Sequence, residues 1–236
     1  MTSQTKEAQP HQPDDQLRIV RRSLHDEVVD RLRDMILGGQ FEEGARLRGQ
    51  QLCEQLGISR TPLREAFKVL ASEGLLELLP NRGARVPQLS LNELEQMFEV
   101  MAGLDGLAGE FACQRITDEE VEKIRQLHDA MVSCFHRNDL LQLFKIDQEI
   151  HQRIVQAARN DILLSYHSGL AARMRRARFM GARHDAQQRS LMEDHMEMIK
   201  ALSERDGTKL RRIMREHIRK KGVIARAAIA GETKAE

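Results

Sequence analysis

The amino-acid sequence predicts a mainly α-helical chain of two domains: a small N-terminal unit of three helices and a β-hairpin, then an all-helical bundle. Three observations point there. The 236 residues exceed the usual length of one domain. All five prolines fall before residue 88. Beyond them the chain is rich in Leu, Met, Ala, Glu, Arg and Gln, which are good helix formers. The composition places residues 1–17 in a disordered tail, 18–88 in the N-terminal domain, 89–229 in the bundle and 230–236 in a second tail.

Several classes of function are excluded at once. No apolar run approaches the roughly 20 residues that span a bilayer. The opening MTSQTKEAQPHQPDD has no apolar signal core, so a cytoplasmic protein without a membrane partner is expected. Cys53, Cys113 and Cys134 lie far apart with no CxxC, which suits neither a disulfide framework nor a zinc knuckle. With 37 Lys and Arg against 36 Asp and Glu, net charge does not announce a nucleic-acid partner. Aromatic residues make up 3% and Trp is absent, which argues against single-strand binding by base stacking and leaves duplex binding open.

The first helix runs from about Ser23 to Leu37, with Leu24, Val28, Leu32, Met35 and Ile36 on one side and Gly38-Gly39 ending it. Two short helices follow near 49–56 and 61–73. In the second, Thr61 serves as a cap, Pro62 fits the first turn where an N–H has no partner, and Gly74 fits a left-handed terminator. Leu75 to Leu79 and Ala84 to Val86 form two brief strands around the turn Pro80-Asn81-Arg82-Gly83. This order is the layout of a winged helix-turn-helix. Leu63, Ala66, Phe67 and Leu70 make the inward face of the third helix, while Arg60, Arg64 and Lys68 make a cationic stripe roughly 12 Å long, a length that fits a major groove. On its own such a stripe reads as a solvated helix face. The preceding helix, the Gly57-Ile58-Ser59 turn and the basic hairpin turn the balance towards duplex DNA.

Over residues 24–88 the segments DRLRDMILGGQFEEGARL and LCEQLGISRTPLREAFKVLASEGLLELLPNRGARV resemble the GntR family of bacterial transcription regulators. The resemblance implies that Arg60, Thr61 and Arg64 meet base edges or phosphates, and that Arg82 and Gly83 at the wing tip approach the minor groove. Many relatives carry Arg just before the Leu of the second helix, where this chain has Gln50 and Gln51.

Helices are expected near 91–114, 118–136, 139–158, 161–179, 186–204 and 208–228. Ser90 with Glu93 and Thr117 with Glu120 form capping boxes, and Asn138 and Asn160 offer further caps. Polar groups interrupt the apolar stripes of three helices. Asp147 and His151 sit between Phe144 and Ile154, His195 between Leu191 and Met198, and His217 between Met214 and Ile224. Buried, such groups need hydrogen bonds, a partner charge or a cation. One carboxylate and three imidazoles suit zinc, nickel or a similar divalent ion, whereas each His alone reads as a satisfied core residue. His167 and His184 read as surface or structural. Arg173, Arg175, Arg176, Arg178 and Arg183 read as a solvated or interface face, one of them a candidate clamp for a carboxylate.

Residues 92–228 resemble the all-helical FCD effector domain of FadR-type members of this family, through Asp-x3-His, the His of EDHMEMIKAL and the late His of REHI. The resemblance implies that Asp147, His151, His195 and His217 hold a divalent metal, zinc foremost. Many members carry Arg and Glu where this chain has Met101 and Asp105, so the effector is left open. The resulting expectation is a homodimeric repressor of a catabolic operon, not an enzyme, released from an inverted-repeat operator by a small carboxylate bound at the metal. A metal-dependent hydrolase and a metal-stabilised helical scaffold are the alternatives.

Overall fold

The structure, a computed structural model, describes residues 24–80, 82–88, 90–182 and 185–232. The expected N-terminal tail, the start of the N-terminal domain, Asn81, Leu89, Arg183, His184 and the last four residues lie outside the described residues.

The head begins with α1 (Leu24–Leu37), which buries Val28, Val29, Leu32, Ile36 and Leu37. Leu24, placed on the inward side from the sequence, is 58% exposed because it opens the helix before that face meets its partner. A two-residue strand β1 (Arg46–Leu47) follows, too short to show any period in the sequence. Helix α2 (Gly49–Leu56) ends on Gly57 in the left-handed region, and α3 (Arg60–Ser72) buries Leu63, Ala66, Phe67 and Leu70 as expected. Ser59 rather than Thr61 is the N-cap of α3, so Thr61 lies in the first turn. Pro62 is then the third helical residue, still among those whose N–H has no intrahelical acceptor.

Strands β2 (Glu77–Leu79) and β3 (Gly83–Arg85) form the hairpin, and β1 pairs with the outer side of β3 to give the order β1-β3-β2. The ladder sets Leu78 against Ala84 and Leu47 against Ala84 from either side. The first strand starts later than expected because the backbone N–H groups of Leu75 and Leu76 donate to Leu70 O and finish the helix instead.

The bundle comprises α4 (Leu91–Arg115), α5 (Asp118–His136), α6 (Leu140–Ala157), α7 (Asp161–Ala182), α8 (Asp185–Ser203) and α9 (Gly207–Glu232). Helix α9 thus extends into the stretch expected as a tail. Both capping boxes are formed, at Ser90 with Glu93 and at Thr117 with Glu120. Asn160 accepts from the Leu163 N–H at 3.0 Å. Asn138 does not cap: its φ of 56° takes the chain through a left-handed turn, and Asp139 accepts from the Gln142 N–H instead. Helices α4 and α9 approach closely where α4 has Gly106 and Gly109; a Cβ on Gly109 would lie 2.6 Å from Met214 Sδ.

Head and bundle share one seam. Phe144 of α6 and Phe179 of α7 join the apolar core of the head, ring centroids 5.2 Å apart and edge to face. Glu73, which follows α3, accepts from Arg33 at 2.6 and 2.8 Å and from Arg175 of α7 at 3.1 Å. Lys145 of α6 pairs with Asp34 of α1 at 2.9 Å. The backbone of α7 runs so near Gly74, whose φ is +69°, that a Cβ would lie 2.6 Å from the Ala172 carbonyl.

Gly74→Ala is therefore expected to cost about 1–3 kcal/mol, from left-handed strain and from a clash with backbone that cannot rotate away. The control is Gly103→Ala, where nothing lies within 4 Å and helix propensity favours Ala. Thermal unfolding checks the pair; equal melting temperatures for the two variants would refute the seam as drawn.

Candidate metal centre and nucleic-acid interface

The four polar residues singled out in the bundle converge. Asp147 and His151 come from α6, His195 from α8 and His217 from α9, and one ligand atom from each lies within 4.8 Å of all the others. All four side chains are buried. His151 Nε2 and His195 Nε2 are each 3.2 Å from His217 Nε2, and His195 Nε2 is 3.4 Å from Asp147 Oδ1.

Second contacts fix the rings. His151 Nδ1 faces Asp105 Oδ2 at 3.1 Å, and His217 Nδ1 faces Asp194 Oδ2 at 3.2 Å. A carboxylate only accepts, so both Nδ1 atoms carry the proton and both Nε2 atoms present bare lone pairs to the cluster centre. Lone pairs packed this closely in a buried site call for a cation. Two nitrogens each about 2.0–2.1 Å from one tetrahedral zinc ion lie roughly 3.3 Å apart, so the spacing and the donor set both fit. Carboxylates behind ligand imidazoles are also the usual arrangement around such ions. The Nδ1 of His195 has no partner among the described residues.

Burial first, and then the Lys221 charge, holds the pKa of His151 and His217 below the ordinary value of 6.5. Burial likewise keeps His195 well below it, although Asp147 works in the opposite direction. The imidazoles are thus neutral, the form that ligates. Burial opposes ionisation of Asp147, but the Lys221 ammonium foremost, together with the Arg178 guanidinium, outweighs it and leaves the carboxyl below its usual range. Asp105 is treated likewise by hydrogen bonds from His151 and His167.

The sequence missed four groups around this cluster. Lys221 Nζ lies 2.5 Å from Asp147 Oδ1 and 3.4 Å from His151 Nε2. Asp105 stands behind His151, and Asp194, held by Lys220 at 2.8 Å, stands behind His217. His167, expected at the surface or in a structural role, is buried with Nε2 2.6 Å from Asp105 Oδ1. Of the arginine run on α7, Arg175 and Arg176 face the head, the latter donating to Phe41 O at 3.3 Å. Arg178 turns inwards and lines a narrow cavity together with Asp147 and Lys221.

On the head, a concave surface between α3 and the wing brings together Arg60, Arg64, Arg82 and Gly83, all exposed. Thr61 is exposed near the start of α3 but does not line this surface. Arg46 of the missed strand β1 and Arg48, the N-cap of α2, add two further cations to it. Lys68 lines the adjoining side and is paired with Glu65 at 2.8 Å.

The family model described as bacterial regulatory proteins, gntR family, matches residues 24–86, and the FCD domain model matches residues 96–220. The Nta operon transcriptional regulator of Aminobacter aminovorans is 32% identical, the match covering 79% of this chain and 87% of that protein. The HTH-type transcriptional repressor RspR of Escherichia coli K12 is 26% identical over 83% of this chain and 86% of its own. Among solved structures, E. coli McbR/YncC superposes with a TM-score of 0.72 at 24% identity, covering 87% of this chain and 98% of that one, which bears on the fold alone. Among the described residues no helix is long and apolar enough to cross a membrane. These relatives are regulators, so the hydrolase alternative falls away. The chain belongs to the GntR family of bacterial transcription regulators, with an FCD domain behind its winged helix-turn-helix.

Proposed function

We propose that the chain is a cytoplasmic homodimeric repressor, released from an inverted-repeat operator when a small carboxylate binds at a divalent metal in the bundle. In this reading residues 18–88 read the DNA and residues 89–229 sense the acid. Arg60, Thr61 and Arg64 meet the major groove or its phosphates, and Arg82 and Gly83 meet the minor groove. Asp147, His151, His195 and His217 hold the ion, zinc foremost. The observation that carries the reading is that this cluster adjoins the seam: Phe144, one turn before Asp147, belongs to the apolar core of the head.

Other features support it. A relative named as a repressor shares most of the length of the chain. Val100 on α4 and Ile162 and Tyr166 on α7 are 56%, 71% and 71% exposed, apolar surface of the kind a second copy covers. Effector binding regulates only through a difference in affinity between DNA-competent and incompetent arrangements. A tenfold change in operator affinity needs about 1.4 kcal/mol of such coupling. Glu73, tied to both α1 and α7, is well placed to carry it.

Arg64→Ala is expected to weaken operator binding by about 1–3 kcal/mol, roughly 5- to 150-fold, without lowering the melting temperature. Gel shifts on the native operator check it; unchanged affinity would remove Arg64 from the reading set. His151→Ala and His217→Ala should each reduce bound metal and blunt release by the acid, and metal analysis at wild-type stoichiometry would contradict the ligand assignment.

The pH dependence of the chelated protein follows from the depressed imidazoles. Below 6.5 the unfolded chain takes up protons that the folded cluster refuses, so stability present above that value is lost as pH falls. The urea midpoint should therefore drop on acidification through 6.5, and drop less in His195→Leu. A midpoint insensitive to that substitution at every pH would show that the ring is not buried neutral.

A further inference from the structure

We propose that the cavity beside Asp147 is a dianion site, in which Arg178 and Lys221 form a paired anchor that selects dicarboxylates over monocarboxylates. The inference rests on the effector reading above and gives it a ligand class.

The first observation is an unsatisfied guanidinium. The Arg178 side chain is 4% exposed, and its Nε and Nη2 are buried with no hydrogen-bond partner among the described residues. Its nearest carboxylate oxygen, Asp147 Oδ2, is 3.8 Å from Nη2, beyond hydrogen-bond range. A buried charged donor left unpaired is costly. Moreover, Nε and Nη2 form one edge of the planar group, two parallel N–H bonds that match the two oxygens of a single carboxylate.

The second observation is the charge balance of the cavity. Its described lining contains two cations, Arg178 and Lys221, and one carboxylate, Asp147, on which both converge. The metal reading commits that carboxylate to the ion. A divalent ion held by one carboxylate and neutral imidazoles then adds positive charge beside the Arg178 guanidinium and the Lys221 ammonium. Asp105 and Asp194 offset part of it from behind the rings but do not line the cavity, so the charge facing a ligand stays positive. A ligand with two carboxylates meets both anchors. The rest of the wall is apolar, including Leu143, Phe144, Leu191 and Ile224. It offers apolar contact to a short hydrocarbon spacer, which must displace the wall to enter because the free space is about 20 Å³. Among the described residues it offers no side-chain partner to sugar hydroxyls, and by excluding water it strengthens the charged contacts.

Calorimetric titration of the zinc-loaded full-length protein tests this with two matched pairs of probes, succinate against butyrate and glutarate against pentanoate. Metal content is verified for each variant. In the wild type each dicarboxylate should bind at least about tenfold more tightly than its monoacid, the effect of one charge-assisted contact. Lys221→Met should bring the two members of each pair together, while Lys221→Arg keeps them apart. Arg178→Lys, which retains the charge and loses the fork, should weaken both members. Equal affinities within each pair in the wild type, or a ratio untouched by Lys221→Met, would overturn the dianion site and leave the effector reading standing. Binding of neither class by the metal-loaded protein would overturn both. The wild-type ratio decides the question even if a variant fails to fold.

Discussion

Three imidazoles bury their Nε2 atoms against one another inside a helical bundle, two of them held unprotonated there, and the rest of the structure is organised around that fact. Hydrogen bonding among the rings satisfies such an arrangement only in part, because Asp105 and Asp194 hold the protons of two of them on the far side and leave His195 alone to donate towards the centre. What satisfies it is positive charge. The protein supplies one such charge in Lys221, and the spacing of the ring nitrogens suits a small divalent ion. The helices that deliver the ligands are otherwise ordinary amphipathic elements whose apolar positions build the core around the site.

The position of the cluster in the fold gives it consequences beyond the bundle. Helix α6 contributes Phe144 to the core of the head and Asp147 to the cluster, within one turn. Helix α7 contributes Phe179 to that core, Arg178 to the cavity and Arg175 to Glu73 at the end of the recognition helix. A rigid helix that serves two sites passes a displacement from one to the other, which is the physical requirement for regulation at a distance. Gly74 and the backbone of α7 are in such close contact that the head and the bundle share a boundary with little slack.

Much of this was legible in the sequence because it is written locally. Capping boxes lie three residues apart, the recognition helix shows its apolar face at helical spacing, and Asp147 and His151 declare themselves by standing where apolar residues belong. Caps themselves are less secure, since Ser59 and Asp139 compete with neighbours of equal chemistry and the backbone decides between them. What was not legible depends on partners far along the chain. Lys221 sits 74 residues from Asp147, Asp105 46 residues from His151, and no periodicity relates them. Arg178 looked like one of a solvated series, and only the packing of α7 turns it inwards while its neighbours face the head. The strand of Arg46 and Leu47 is two residues long and exists because β3 offers it an edge.

The claim beneath all of this is that the bundle holds a metal ion through three imidazoles and one carboxylate. X-ray absorption at the zinc edge of the zinc-loaded protein tests it most directly. The account predicts nitrogen and oxygen scatterers at about 2.0–2.1 Å, with the multiple-scattering signature of three imidazole rings. A spectrum of hydrated zinc, or one with no ring scattering, would contradict it.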